Sequence, residues 1–148
     1  MDISYLGRSF HGFQSQTSKN TVQDKLEKSL STFLRHEVRI KGASRTDSGV
    51  HAQQQVVSFN SSVAFDQKKW QTGIHAILPK EIGVISIQKV PNDFDPIRLS
   101  IGKVYCYRLW LGRNINPFIF PFVWGVPENL NIEELEKQLK DSIGRFDF

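Results

Sequence analysis

The chain has 148 residues, a length that suits one compact domain. Hydrophobic residues make up 39% of it and charged residues 23%, a balance typical of globular proteins and not of disordered ones. The single cysteine, Cys106, excludes an internal disulfide framework and a cysteine-rich zinc site. The formal charge of +4 is compatible with a polyanionic partner, although many proteins without such a partner carry a similar charge.

Neither a membrane-spanning segment nor a secretory signal is recognisable in the sequence. The wholly apolar runs are a few residues long, far below the roughly 20 residues that cross a bilayer. The N-terminus carries an early acid, Asp2, and lacks a basic region followed by an apolar one. We therefore expect no membrane association and a cytoplasmic location.

The first predicted helix rests on apolar residues at helical spacing, and these are Val22, Leu26, Leu30 and Phe33. A capping box marks its start, formed either by Asn20 with Gln23 or by Thr21 with Asp24. The pattern therefore predicts an amphipathic helix that turns one face to the core.

Two further helices are predicted later in the chain. One runs from about Asp66, ends before Pro79, and points three residues inward: Trp70, Ile74 and Ile77. The other begins at Asn131, where Glu134 completes a capping box. Its predicted buried residues are Ile132, Leu135, Leu139 and Ile143.

Between the helices the apolar period falls to two, which indicates strands. Residues on one face of each short strand are Val38 with Ile40, Val57 with Phe59, and Ile85 with Ile87. A longer strand is predicted over Val104–Leu111. The element order is strand, helix, strand, strand, helix, strand, strand, helix. We therefore predict an α+β fold of the ferredoxin or RNA-recognition-motif type, with a mixed, largely antiparallel sheet, helices on one face and an RNA-binding cleft on the other.

The most informative segment is Gly42–Ala52, which joins two predicted strands. Arg45 and Asp47 lie two residues apart, so an extended backbone places both side chains on one face. A guanidinium beside a carboxylate favours the ionised form, which can act as a nucleophile or a base. The Ser48-Gly49 pair is a turn signal that directs Asp47 outward. Taken alone, however, the same pattern also describes an ordinary turn with a surface ion pair.

The remaining polar residues give weaker signals. The four histidines, His11, His36, His51 and His75, do not have the spacing of a metal site, and no nucleotide-binding glycine loop is present. Basic residues that could contact phosphates are Arg8, Lys41, Lys68, Lys69, Arg98, Lys103 and Arg108. Of these, Arg8 is the strongest candidate because it lies in a predicted loop.

The segment Ala43–Ala52, followed by Gln55–Phe59, closely resembles the active-site motif of the TruA family of tRNA pseudouridine synthases. Further stretches match other family motifs in the family's order, and these are Tyr5–Gln14, Thr21–Glu27, Phe94–Tyr107 and Gly144–Phe148. The chain departs from the family pattern at Leu6, Phe13, Ser44 and Arg98. The resemblance covers essentially the whole chain.

The resemblance implies that a uridine in the anticodon stem-loop of a tRNA is converted to pseudouridine, without a cofactor, by a homodimeric enzyme. Asp47 would be the catalytic aspartate, Arg45 would pair with Asp47 and help hold the nucleotide out of its stack, and Tyr105 would stack on the flipped base. The residues expected to contact substrate are Tyr105, Arg8, Thr46, His51 and Lys103.

By the same resemblance, residues 1–148 form the N-terminal, catalytic half of such an enzyme, and a second, similar half is absent from this chain. A non-catalytic RNA-binding module is the alternative, because family members use both halves. A different enzyme class, such as a hydrolase that uses Asp47, is not supported, because the sequence has no second carboxylate at a convincing position.

Overall fold

The computed structural model describes residues 1–146, so Asp147 and Phe148 of the predicted closing motif lie outside the described residues. The chain divides into two compact units, Met1–Gly102 and a second that begins at Lys103, whereas composition predicted one. The first unit contains β1 (Asp2–Tyr5), α1 (Val22–Leu34), β2 (Ile40–Gly42), β3 (Ala52–Phe59), α2 (Gln67–Ile77) and β4 (Ile82–Ser86). The second contains β5 (Leu109–Leu111), β6 (Trp124–Val126) and α3 (Ile132–Lys140). Short 3-10 turns occur at Gly7–Ser9 and Phe120–Phe122.

The first unit is built on a four-stranded sheet of order β2-β3-β1-β4, in which every neighbouring pair is antiparallel. Alternate residues of the strands, such as Ile3 and Val57, are fully buried. They form one hydrophobic core with the buried faces of α1 and α2, including Leu30 and Ile74. The predicted α+β class, with helices packed on an antiparallel sheet, is therefore confirmed. The second unit holds a two-stranded parallel sheet, whose strand β6 the sequence did not predict.

The start of α1 distinguishes between the two predicted capping boxes. Thr21 is the N-cap: its hydroxyl accepts the amide of Asp24 at 3.2 Å and donates to the Asp24 carboxylate at 2.5 Å. Burial acts to raise the pKa of Asp24, but hydrogen bonds from Ser15 and Thr21 and the charge of Lys19 bring it below the ordinary value. The Thr21–Asp24 prediction is confirmed.

Two apolar residues of the first unit do not lie on the face predicted for them. In α2, Trp70 and Ile74 are buried as predicted, but Ile77 is 42% exposed. Leu78, four residues after Ile74, takes the next inward position instead. Ile85 of β4 is 46% exposed, whereas Ile87, just after the strand, is buried, because the pairing of β1 with β4 shifts register at Ile85 and places it in a bulge.

In the second unit, two predicted features are present: the cap of α3 and the last three residues of the long strand. Asn131 caps α3 by accepting the amide of Glu134, as predicted. Its apolar residues are not buried as predicted: Ile132, Leu139 and Ile143 are exposed and Leu135 is half-buried. Only the last three residues of the strand predicted over 104–111 form a ladder. A strand needs a neighbour for its hydrogen bonds, and β6 is only three residues long. The unit is also small, so it buries little apolar surface.

Within residues 1–146, none of the helices is long and apolar enough to cross a membrane. Cys106 is an exposed free thiol.

A buried carboxylate connects α1 to β2. Glu27 is 7% exposed and accepts hydrogen bonds from the backbone amide of Ile40 at 3.1 Å, from Gln23 at 2.9 Å and from Arg39 at 3.0 Å. The exposed Glu37 also pairs with Arg39, at 2.7 Å. Glu27 therefore fixes the first residue of the strand that leads to the Gly42–Ala52 segment.

Replacing Glu27 with alanine is expected to lower the free energy of unfolding by about 1–3 kcal/mol, because it leaves the buried Ile40 amide without an acceptor. The matched control is Glu37→Ala, which removes an exposed carboxylate from the same arginine and is expected to cost about 0–1 kcal/mol. Urea unfolding of both variants measures the difference. Equal losses would contradict a special role for Glu27.

Candidate active site in the loop between β2 and β3

The loop that joins β2 to β3 carries the predicted catalytic residue on a tight turn. The amide of Val50 donates to the carbonyl of Asp47 at 3.2 Å, which closes a turn around Ser48 and Gly49. Gly49 has a φ of +84°, a conformation that favours glycine at this place in a turn. Asp47 is exposed. The turn and the outward direction of Asp47 are as predicted.

Burial alternates along the loop before the turn. Ser44 and Thr46 are half-buried, whereas Arg45 and Asp47 are exposed. This alternation agrees with the prediction that Arg45 and Asp47 share a face. Among residues 1–146, however, the two side chains form no ion pair, and the Asp47 carboxylate accepts no hydrogen bond. The Arg45–Asp47 pair that the resemblance implies is therefore not formed among the described residues of this structure, in which both residues are exposed.

Thr46, the residue before Asp47, is held through both its side chain and its backbone. Its hydroxyl lies 2.9 Å from the hydroxyl of Tyr5, and its carbonyl accepts the amide of Phe13 at 2.9 Å. Tyr5 and Phe13 are each 3% exposed, and their ring centroids are 6.3 Å apart. Burial raises the pKa of the Tyr5 hydroxyl, an effect that the hydrogen bond with Thr46 partly offsets. The phenol therefore stays neutral near pH 7 and can donate.

Phe13 is itself anchored to the start of α1. Its carbonyl accepts the amide of Gln23 at 2.9 Å, and the carbonyl of Gly12 accepts the amide of Val22 at 3.2 Å. These two carbonyls satisfy donors that the first turn of a helix leaves unpaired. Through Gly12 and Phe13, the segment that bonds to Thr46 is thus attached to α1, a helix of the core.

Further contacts hold the loop on either side of Thr46 and Asp47. The Ser48 hydroxyl donates to the Phe10 carbonyl at 3.3 Å. The amide of Gly7 donates to Nδ1 of His51 at 3.2 Å, so this ring nitrogen serves as an acceptor. On the other side, the buried side-chain amide of Gln55 donates to the backbone carbonyl of Ser44 at 2.5 Å. The loop is therefore supported at both ends.

Two glycines allow the segment after β1 to approach the loop. A Cβ added to Gly12 would lie 2.9 Å from the Thr46 carbonyl oxygen, and one added to Gly7 would lie 1.9 Å from the Val50 carbonyl oxygen. Gly12 also has a φ of +84°, the same as Gly49. Around Gly49, in contrast, an added Cβ would meet no atom within 4 Å. Absence of a side chain at positions 7 and 12 is therefore a steric requirement of the site.

The pair of equal φ values provides a matched test of this close approach. Gly49→Ala is expected to destabilise the protein by about 1 kcal/mol, through backbone strain alone. Gly12→Ala carries the same strain plus a backbone collision, and is expected to cost a further ~1–3 kcal/mol. The free energy of unfolding in urea separates them. Equal costs would show that the loop moves away without penalty.

The structure describes the remaining predicted residues as follows. Arg8 is exposed and follows Gly7 directly. Lys41 forms an ion pair with Asp95 at 2.6 Å, and this hydrogen bond holds the pKa of Asp95 below its ordinary value. Arg98 lies 3.8 Å from the same carboxylate. Lys68 and Lys69 are exposed in the first turn of α2. Lys103, Tyr105 and Arg108 are exposed residues of the second unit.

Sequence reasoning did not single out the residues that support the loop. Tyr5 and Gln55 are not among the predicted site residues, although both place a polar group at an inward strand position. That placement is the signal that could have identified them, because a buried polar side chain needs a hydrogen-bond partner. Glu27 carries the same signal on the buried face of α1.

The family of the chain follows from comparison with known proteins. A family model described as tRNA pseudouridine synthase matches residues 2–97, which include the whole loop and its supporting segment. The chain belongs to this family. Its sequence-based recognition is therefore confirmed, and Asp47 lies inside the matched region.

Curated relatives align with the chain over its full length. The tRNA pseudouridine synthase A of Aquifex aeolicus is 38% identical over 146 residues, which cover 99% of this chain and 61% of that relative. The tRNA pseudouridine synthase A of Staphylococcus epidermidis is 37% identical over 148 residues, or 100% of this chain and 55% of that relative. The tRNA pseudouridine synthase A 2 of Clostridium perfringens is 35% identical over 149 residues. The chain thus spans 55–61% of the length of these family members.

Proposed function

We propose that this chain is the part of a tRNA pseudouridine synthase that carries the catalytic aspartate, Asp47, and that the protein isomerises uridine to pseudouridine in tRNA. The observation that carries the proposal is the state of Asp47. Its carboxylate is exposed and unpaired among residues 1–146, while the residues on both sides of it are hydrogen-bonded to the scaffold. Membership of the family supports the reaction class.

The chemistry of the reaction needs such a carboxylate. Isomerisation breaks the bond between N1 of uracil and C1′ of the ribose, turns the base, and joins C5 to C1′. C5 loses its proton and N1, now free of the ribose, takes one up. A carboxylate can stabilise the cationic sugar centre, form a covalent adduct, or remove a ribose proton. All three roles require a carboxylate that RNA can reach on a segment that is held in position, and Asp47 is exposed between two residues that are bonded to the scaffold.

The target uridine must leave its stack to reach Asp47, at a cost of a few kcal/mol. Exposed groups of the chain suit this step. Arg45, which shares the exposed face of the loop with Asp47, supplies a cation for the nucleotide. Tyr105, 68% exposed, offers an aromatic face on which a base can stack, which contributes roughly 1–3 kcal/mol. We assign Arg45 and Tyr105 these roles, as the resemblance implies.

The finer assignments belong to the same proposal. The anticodon stem-loop as target, the homodimer, the cytoplasmic location and an RNA-binding face on the sheet all follow from the family resemblance. So does the assignment of residues 1–148 as a catalytic N-terminal half. Arg8 and Lys103 are exposed cations suited to phosphate contacts. Thr46 bonds to Tyr5 and His51 to Gly7, so both side chains support the loop. Contacts of Thr46 and His51 with substrate would be made in addition to these bonds.

The test is release of tritium from tRNA that carries uridine tritiated at C5, since the new glycosidic bond displaces that atom. The whole protein is assayed beside two variants. Asp47→Asn tests the site, and Asp93→Asn is the control because Asp93 is an exposed aspartate outside the loop. Asp47→Asn is expected to lower the rate by about 10²-fold or more, and Asp93→Asn to leave it unchanged.

Binding of the tRNA is measured in parallel. Binding by all three proteins, with release lost only in Asp47→Asn, is the expected result. Release that survives in Asp47→Asn would contradict the catalytic assignment. Salt-sensitive binding by the wild-type protein without any release would instead identify a non-catalytic RNA-binding module.

A further inference from the structure

We propose that Tyr5 is a positioning residue for the reaction: its buried hydroxyl fixes Thr46 and thereby sets the place of the Asp47 carboxylate. This inference rests on the proposed function, since it takes Asp47 as the catalytic group. Tyr5 bonds to Thr46, the residue before Asp47, and its role is exerted through this residue.

Tyr5 is suited to serve as a rigid anchor. It is the last residue of β1, an inner strand, where it pairs with Ala52 of β3 and Ile82 of β4. Its side chain is 3% exposed and packs in the core beside Phe13. A residue whose backbone is paired on both sides and whose ring is buried beside an aromatic neighbour has little freedom to move.

The hydroxyl, and not the ring, distinguishes this position. A phenylalanine would fill the same apolar space without a polar atom to satisfy. A buried hydroxyl is unfavourable unless it is hydrogen-bonded, and in residues 1–146 its partner is the Thr46 hydroxyl at 2.9 Å. The polar atom of this core residue is therefore directed to the residue before Asp47, across 41 positions of sequence.

The bond acts together with the Phe13 amide to immobilise Thr46. The amide holds the Thr46 carbonyl, which belongs to the peptide plane that leads to Asp47. The Tyr5 hydroxyl holds the side chain of the same residue. Loss of either bond gives the Asp47 backbone freedom to shift, and a displacement of about 1 Å at a reacting group costs on the order of 10²-fold in rate.

Tyr5→Phe tests the inference, because it removes the hydroxyl and keeps the ring. Thr46→Val removes the partner, and Thr46→Ser keeps it. Ile74→Val, which deletes a methylene from a fully buried residue of α2, is the control for loss of stability. All variants are made in the protein at its encoded length, and kcat, KM and Tm are measured with tRNA as substrate.

Tyr5→Phe and Thr46→Val are each expected to lower kcat by about 10–100-fold with KM within about twofold of wild type. The double variant is expected to be no worse than the more impaired single one, because both remove one shared bond. Thr46→Ser is expected to recover kcat relative to Thr46→Val. Ile74→Val is expected to lower Tm while kcat is retained.

The outcomes separate this inference from the function on which it rests. If Asp47→Asn abolishes turnover and Tyr5→Phe keeps kcat within about twofold of wild type, the positioning role is wrong and the proposed function stands. The role is also wrong if Tyr5→Phe changes only KM, if the double variant shows the product of the two single losses, or if Ile74→Val lowers kcat as much. Turnover that persists in Asp47→Asn overturns the proposed function itself.

Discussion

The site depends on one constraint, the position of Thr46. The buried hydroxyl of Tyr5 bonds to its side chain, and the backbone amide of Phe13 bonds to its carbonyl. A carboxylate that acts on RNA must be open to a large ligand, and open loops are usually mobile. Here the exposed residue is flanked by residues whose bonds lead into the core. Asp47 is therefore accessible while the chain on both sides of it is held, a combination that the proposed catalytic role requires.

The antiparallel sheet explains why these segments meet. Tyr5, at the end of β1, pairs with Ala52, at the start of β3, so the chain leaving β1 and the loop entering β3 lie at the same end of the sheet. The segment after β1 then passes over the loop, approaches it closely at Gly7 and Gly12, and enters α1. Glu27, further along that helix, holds the start of β2, the strand that leads into the loop. One short stretch of chain thus joins the site to the sheet and to the helix.

Periodicity and capping patterns in the sequence predicted both helices of the first unit, because the Thr21 cap and the buried faces of α1 and α2 are set by local physics. The turn at Ser48-Gly49 was predictable for the same reason. The support of the loop was not, since the bonds from Tyr5, Phe13 and Gln55 join residues distant in sequence. Ile85 was misplaced because a bulge is a property of strand pairing. The strand predicted over residues 104–111 formed only where a partner strand exists, which local propensity does not reveal.

Amide hydrogen exchange at Phe13 tests most directly whether the loop that carries Asp47 is held rigidly. This amide donates to the Thr46 carbonyl at 2.9 Å. We expect this amide to exchange as slowly as the amides of β1, because both open only when the core opens. Exchange at the rate of an unstructured peptide would show that the bond to Thr46 is not maintained in solution. The loop would then be mobile, and the fixed position assigned to Asp47 would be wrong.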